Sequence, residues 1–527
     1  MSTPSRKVVV VGAGVAGLAA AVALAKEGVA VTLLERRPYV GGRAYSYLHP
    51  ALHEVVDSQH VLVGCCTNLI DLCNQAGLAD KIRWYDRQTW LEPATGARPV
   101  RATTIAIGPL PAPLQFAGSF LRAPMLGVAD KLAIARALIG LANGAEQPDS
   151  ESVAQWLRRT RQTGRAIRHL WEPLVLATLN DTAANCSMRY AGKVFYELFL
   201  KNEAGGRLGI PTVPLSDFYA AAANLVRSHG SQVELRSSVE QLLQQPNSDS
   251  NSHSNARWLL RCADRDYLAD DVILALPFEQ TQRLISTMSL RDPAGEASRS
   301  ALLANLARFT HSPFLSILLW YDRPITDLPH AWLLDSPLHW FVNKSLVRSP
   351  QDAPDNVGVP HPSQSEGWDG NPPADRGSYV EVIIAGSRAT LTQSREQVLT
   401  LALAELARFF PETRRARLLK SGILKEARAT FSLPPGLDAL RPAQRTAWPG
   451  LTLAGDWTAT GWPSTMEGAA RSGRLAAGTL LAASTLSTTG SLSAAGALSS
   501  VTDSLADPTR FLTPDPPPSG LMRLLTR

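Results

Sequence analysis

Lys7-Val8-Val9-Val10-Val11-Gly12-Ala13-Gly14-Val15-Ala16-Gly17, continued by an alanine- and leucine-rich run over 18–26, Gly28 and a second apolar run ending at Glu35, decides the fold. Apolar strand, glycine turn, helix, apolar strand and terminal acid are the parts of a dinucleotide-binding βαβ unit, in order. Gly12 permits the sharp turn, Gly14 lets the backbone approach a pyrophosphate, and Gly17 lets helix and strand pack closely. Ala13 and Ala16 complete the turn at the helix N-terminus, whose unpaired N–H groups and partial positive charge suit phosphates. Glu35, with Arg36 beside it, falls where a carboxylate accepts ribose hydroxyls, which favours FAD or NAD over NADP. A bare glycine turn would be weak evidence; here every flanking part is present.

Two further stretches extend this unit. Gly41-Gly42-Arg43 places a second glycine pair shortly after the acid. Near the other end, Leu451-Thr452-Leu453-Ala454-Gly455-Asp456-Trp457 reads as a buried strand ending in Gly-Asp, and Thr465-Met466-Glu467-Gly468-Ala469-Ala470-Arg471-Ser472-Gly473 as a helix start. Gly455 would let the backbone approach a ribityl chain, and Asp456 would accept its hydroxyls or position a pyrophosphate-bound water. The helix beginning at Met466, Glu467 and Ala469 would face the flavin pyrimidine edge, where negative charge gathers on reduction. Alone, the same string is a strand–helix junction with a capping aspartate.

Together these motifs resemble the glutathione-reductase-type flavoproteins, in particular the amine oxidase and phytoene desaturase branch. The resemblance implies FAD, and an α/β fold in which a Rossmann-like FAD-binding domain (1–100, 211–290, 420–485) is interleaved with a mixed α+β substrate domain (101–210, 291–419). It further implies that Val239 meets the adenine through its backbone. Covalent-flavin members carry a cysteine near the last motif, and none follows Cys262 here, so the FAD is expected to be non-covalent. Trp457 and Trp462 either wall the flavin pocket or belong to the core.

Bulk composition narrows the rest. A chain of 527 residues is too long for one simple core. The net charge of +6 forms no basic run with interleaved aromatics, which argues against nucleic acid. Five cysteines without C-x-x-C spacing argue against a disulfide framework or a zinc site, so no metal is expected and the thiols read as reduced. Residues 1–6 carry no apolar signal core, and the uncharged run 102–121 is broken by Pro109, Pro111 and Pro113, so it is not a spanning helix. A cytoplasmic protein, peripheral at the inner face of the cytoplasmic membrane, is the expectation.

Between the cofactor stretches, 102–144 is apolar, with Phe116, Phe120 and a helical pattern over 128–141 beside Arg122, Lys131 and Arg136. This is either an amphipathic patch that dips into a membrane or a plain core helix pair. Residues 246–255 read as an exposed hairpin loop, 349–376 as a loop insertion, and 486–527 as a disordered tail ending in a weak apolar contact.

Asp57-Ser58-Gln59-His60, Pro109-Ala112-Pro113-Leu114, Leu176-Ala177-Thr178-Leu179-Asn180 and Ala429-Thr430-Phe431-Ser432 before Arg441-Pro442 resemble the squalene-associated, FAD-dependent desaturases that act as hydroxysqualene dehydroxylases in bacterial hopanoid pathways. The likeness spans about 8–485. It departs at Ser58, where that family more often has Asn-Gly. The resemblance implies an isoprenoid lipid substrate, supplied by upstream squalene or phytoene synthase-like enzymes, and loss of an allylic hydroxyl with hydride delivery from reduced flavin. His60 is the expected acid, because histidine carries a proton near neutral pH, unless it only bonds Asp57 or backbone in a turn. Asp57 would orient His60 or hold flavin, Gln59 would bind the hydroxyl, and Asn180 is a substrate contact or a helix C-cap. A carotenoid desaturase running hydride the other way uses the same cofactor, and so does an amine oxidase. A prenyl-binding carrier that has lost FAD is opposed by the intact Gly12, Gly14, Gly17, Glu35 and Asp456.

Overall fold

The computed structural model describes residues 6–142, 146–245, 257–290, 293–348, 377–489 and 507–525. The loops expected at 246–255 and 349–376 lie outside the described residues. Strand β1 (Lys7–Val11) runs into helix α1 (Val15–Lys26) and back into β2 (Ala30–Glu35). With β3 (Gln232–Leu235), β4 (Asp271–Leu274) and β5 (Leu451–Leu453) they form a parallel sheet of order β3-β2-β1-β4-β5. The chain thus makes two long excursions from this sheet, over 36–231 and 275–450, which is the interleaving the motifs implied.

Val8 to Val11 explain why β1 is central. Val8 and Val10 pack with α1 on one face, Val9 and Val11 with the core on the other, and all four are at most 4% exposed. Burial of each valine contributes about 1.5–3 kcal/mol. At Gly12 the backbone turns with φ +101°, and a Cβ there would lie 2.6 Å from the Ala275 carbonyl oxygen. Gly17 packs directly on Gly12. Helix α2 (Thr67–Gln75) covers the same unit.

The second body is a seven-stranded mixed sheet, in the order 418–431, 311–321, 378–385, 340–343, 330–333, 87–92 and 101–106. Strands 87–92 and 418–431 belong to this sheet, although position in the chain had placed most of each with the cofactor domain; pairing partners distant in sequence decide their membership. Along these strands alternate residues serve two faces. Leu315, Val382 and Ile384 pack on the helix Arg395–Phe409, while Phe314, Ile383 and Ala385 face an internal cavity. Helices α3 (Ala117–Arg122), α4 (Val128–Ala142) and α5 (Glu172–Leu179) close the cavity from the other side.

Helix α6 (Met466–Thr489) lies on α1 almost backbone to backbone: a Cβ on Gly473 would sit 2.0 Å from the Ala16 carbonyl oxygen. The tail expected to be disordered is corrected over 507–525. Thr513 N–H donates to Asn68 (2.9 Å), Arg471 pairs with Asp515 (2.6 Å), Ser519 N–H donates to the Lys201 carbonyl (2.9 Å), and Met522 is fully buried. Proline-rich composition argues against helix and strand, but an extended chain can still be held by side chains of distant elements. No described helix is long and apolar enough to cross a membrane. The five cysteines are unpaired, and no metal-ligating cluster exists among the described residues.

Candidate functional site

One cavity of about 1210 Å³ runs from the glycine turn of β1–α1, beneath the seven-stranded sheet, to helices α3 and α4. At its first end, Gly12, Gly14, Ala16, Glu35, Arg36 and Val239 form the wall. Glu35 is buried, and each carboxylate oxygen accepts one backbone bond, from Ala13 N–H (2.9 Å) and Arg37 N–H (2.9 Å). This fixes the acid at the end of β2 with lone pairs to spare. Arg37 in turn donates to the Gly42 carbonyl (2.8 Å), folding the second glycine pair over the first. A Cβ on Gly42 would lie 2.9 Å from Gly14 Cα, so the two turns pack backbone to backbone and leave no room for a side chain between them. Ala13 and Gly17 stand behind the wall: Ala13 N–H serves Glu35, and Gly17 serves the close helix packing expected of it.

Next along the cavity are Gly41–Arg43, Gly455, Asp456, Ser464, Met466 and Ala469. Asp456 pairs with Arg43 (2.5 Å) and accepts from the Ser464 hydroxyl (2.9 Å), so it knits the two sequence ends together at the cavity wall. Buried Arg441 clamps the loop behind by donating to the carbonyls of Asp456 (2.7 Å), Thr458 (2.6 Å) and Trp462 (2.8 Å). One expectation is corrected here, and the two tryptophans resolve to the core alternative. Glu467 does not face the cavity; its carboxylate accepts from the N–H groups of Asn68 (3.2 Å) and Leu69 (2.8 Å), capping α2, and burial raises its pKa. Trp457 donates to the Leu276 carbonyl (2.9 Å) and packs in the core. Trp462 is buried under Lys193 and Arg471, away from the cavity.

Beyond this point lies Asp57-Ser58-Gln59-His60, at the end of the strand Glu54–Asp57. Asp57 does not orient His60. Its buried carboxylate pairs with Lys344 and with Arg348 (2.7 Å), and Lys344, itself without exposure, also pairs with Glu381 (2.7 Å). Burial pushes the Asp57 pKa up, but the two cations outweigh it and hold the group ionised, well below the usual carboxylate range. Glu381 accepts from Gln59 N–H (2.9 Å) and from the Ser316 hydroxyl, so this ion cluster anchors the segment. Gln59 donates its amide to the His60 carbonyl (2.8 Å), which turns Oε1 away as a buried acceptor with no donor among the described residues.

His60 Nδ1 lies 2.8 Å from the Ser58 carbonyl oxygen. A carbonyl only accepts, so Nδ1 carries the proton, and Nε2 of the neutral ring keeps a lone pair with no hydrogen-bond partner among the described residues. Burial lowers the His60 pKa, against the raising influence of the Ser58 carbonyl, Asp57 and Glu381. Nearby, Asn180 caps α5 in the left-handed region (φ +53°). Its amide donates to the Ser312 carbonyl (3.2 Å) and Thr430 hydroxyl (3.1 Å), and its Oδ1 accepts from Gly386 N–H (3.0 Å). The C-cap geometry is therefore present, and the residue also reaches the cavity wall.

Sequence reasoning missed His339, Lys344, Arg348 and Glu381. His339 lines the cavity, its Nδ1 accepts from Ala385 N–H (3.0 Å), and burial pushes its pKa down to about 4, so the ring is neutral with its proton on Nε2. The available signal was Glu381, a lone acid inside the apolar strand Ser378–Ala385, which requires a buried cationic partner. Further on the walls are apolar: Trp90 stacked on Trp332 (4.6 Å), then Phe116, Phe120, Leu132, Leu138 and Leu174. The geometry offers a dinucleotide cradle, a polar junction, and an apolar tunnel.

The profile of a family described as flavin containing amine oxidoreductase matches residues 15–481. Among curated proteins, the chain is 24% identical to a zeta-carotene desaturase of Zea mays, over 89% of this chain and 82% of that protein. It is 23% identical to a 15-cis-phytoene desaturase of Synechococcus elongatus, over 90% and 96%. Among solved structures, an oxidoreductase from Methanosarcina mazei superposes with TM-score 0.64 at 16% identity, over 89% of this chain and 98% of that one. The glycine turn and Glu35 could hold the adenosine and pyrophosphate of FAD, with Arg43, Asp456 and Met466 lining the next part of the cavity.

Proposed function

The chain belongs to the flavin containing amine oxidoreductase family, and on that premise we propose that it is an FAD-dependent oxidoreductase that removes the allylic hydroxyl of a long isoprenoid, converting hydroxysqualene to squalene. Gln59 carries this reading. Its Oε1 is a buried acceptor without a donor among the described residues, and the residue lines the junction of the cofactor cradle and an apolar tunnel. A buried acceptor left unpaired costs about 1–3 kcal/mol, and a substrate hydroxyl satisfies it where a hydrocarbon does not. The tunnel beyond is lined by leucine, phenylalanine and tryptophan, which suits an isoprenoid tail.

The overall change is R–OH plus hydride plus proton to R–H plus water. Reduced FAD, when bound, supplies the hydride. His60 supplies the proton through Nε2 once its ring is protonated; Gln59 orients the hydroxyl, and Asn180 and His339 border the same space. A squalene or phytoene synthase-like enzyme provides the substrate, at the inner face of the cytoplasmic membrane in this reading.

A second reading, desaturation of a hydrocarbon isoprenoid, draws on the phytoene and zeta-carotene desaturase relatives and on the Nε2 lone pair of neutral His60. The two part on pH. Burial lowers the His60 pKa, so an acid role makes the rate climb as pH falls, and a base role makes it fall. Anaerobic, photoreduced enzyme given hydroxysqualene should yield squalene on lipid analysis. No squalene, together with phytoene reducing the oxidised enzyme, would move the assignment to the second reading. His60→Ala should keep FAD and slow turnover; unchanged turnover would assign His60 to structure alone.

A further inference from the structure

We infer that helices α3 and α4, the loop before them and the C-terminal turn 519–524 form one docking surface for an anionic phospholipid bilayer, onto which the apolar tunnel opens. The inference rests on the isoprenoid reading above for its purpose, and on surface geometry for its substance. Val128, Leu132, Ala135 and Ile139 recur at i, i+4, i+7 and i+11 and so make one stripe along α4. That stripe faces outward: Val128, Leu132 and Ile139 are 75%, 67% and 69% exposed. Leu132, Ile139 and Leu121 of α3 line the cavity as well, so the same side chains are both rim and interior.

The C-terminal segment completes the rim. Leu521 N–H donates to the Ala112 carbonyl (2.8 Å), and buried Met522 pins the turn, which leaves Leu521 and Leu524 exposed beside Leu110 and Leu114. Eight of the twelve exposed large aliphatic residues among those described fall in these two segments, a cluster rather than the scatter of an ordinary surface.

Charge selects the occupant. Arg122, Arg136 and Arg523 are exposed around the rim, and Lys131 is partly so. Of the neighbouring acids, Asp130 is buried and accepts from Gly127 N–H (2.7 Å) and the Thr163 hydroxyl, while Glu203, partly exposed near Arg523, accepts from Ala112 N–H (2.7 Å) and the Ser519 hydroxyl. Cations outnumber the single partly exposed acid, Glu203, and an apolar stripe with a net cationic border matches the interface of an anionic bilayer. With no described helix able to span, the contact is one-sided.

The test is flotation of the full-length holoenzyme with phosphatidylcholine vesicles, with and without phosphatidylglycerol, followed by flavin absorbance. Binding should require phosphatidylglycerol and weaken in high salt. The pair Leu521→Glu and Leu524→Glu should lower vesicle affinity about tenfold or more with FAD content and unfolding midpoint unchanged. Leu48→Glu with Leu268→Glu, exposed leucines elsewhere, should float like the parent. Parent enzyme that stays off the vesicles, or a tail variant that floats undiminished, would overturn the inference. So would a vesicle-free dimer that the tail variant dissolves, which would give the face to a second copy of the chain. Vesicle binding needs no turnover, so enzyme that floats but converts no isoprenoid would overturn the function and leave the docking surface standing.

Discussion

Replacing Lys344 by methionine separates the ion cluster from the rest of the site. The ammonium is fully buried, pairs with Asp57 and Glu381, and also donates to the Asp57 carbonyl (2.9 Å). Methionine fills similar length without charge, so Glu381 would be left buried with only Gln59 N–H and the Ser316 hydroxyl. Removing one partner of a buried pair costs about 3–5 kcal/mol; Asp57 keeps Arg348, so a loss near about 3 kcal/mol is expected. Adding Glu381→Gln restores charge balance, because an amide oxygen can still accept from Gln59 and Ser316. The double variant should recover about half of the loss. Urea unfolding of parent, single and double variants measures this. The Lys344 cation also lowers the His60 pKa, so in the single variant the His60-dependent limb of the rate profile should move to higher pH. A single variant within about 1 kcal/mol of parent, or a double variant no more stable than the single, would refute the argument.

Other outcomes follow from the same contacts. Glu35→Gln should weaken FAD binding by about tenfold to a hundredfold, the worth of about 1.5–3 kcal/mol of hydrogen bonding to a charged acceptor, as read by titrating apoprotein with FAD. Glu467→Gln should leave FAD affinity alone and lower stability by about 1 kcal/mol through the α2 cap; an equal loss of FAD would put Glu467 at the cofactor after all. Burial pushes both His330 and His339 down to about 4 from 6.5, so the unfolded chain takes up protons that the fold refuses. Their stabilisation is present above pH 6.5 and lost as pH falls towards about 4, up to about 3 kcal/mol each. Unfolding midpoints that stay flat from pH 7 to pH 4.5 would contradict it.

Local sequence determined the cofactor half of this protein. Val8 to Val11, the glycine turn, Glu35 and Gly41-Gly42 lie in one stretch of chain, so their spacing alone specifies a dinucleotide cradle, which Gly455-Asp456 joins from 413 residues away through Arg43. The substrate half was legible only as composition: an apolar middle with no assignable partners. Strands 87–92 and 418–431 joined the seven-stranded sheet because pairing partners far along the chain compete for each edge, which no local pattern records. The same reason explains the individual residues. Asp57 looked like an orienting acid for its neighbour His60, but Lys344 and Arg348 arrive from almost three hundred residues away and take its charge. Glu467 sat in a flavin motif, yet the helix N-terminus at Asn68 claims its carboxylate. The tail read as disorder until Asn68, Lys201 and Ala112 supplied the bonds that hold it. Sequence determined which groups must be satisfied; only the tertiary structure decided by whom, since buried charges and hydrogen-bonding groups are satisfied in space and not along the chain.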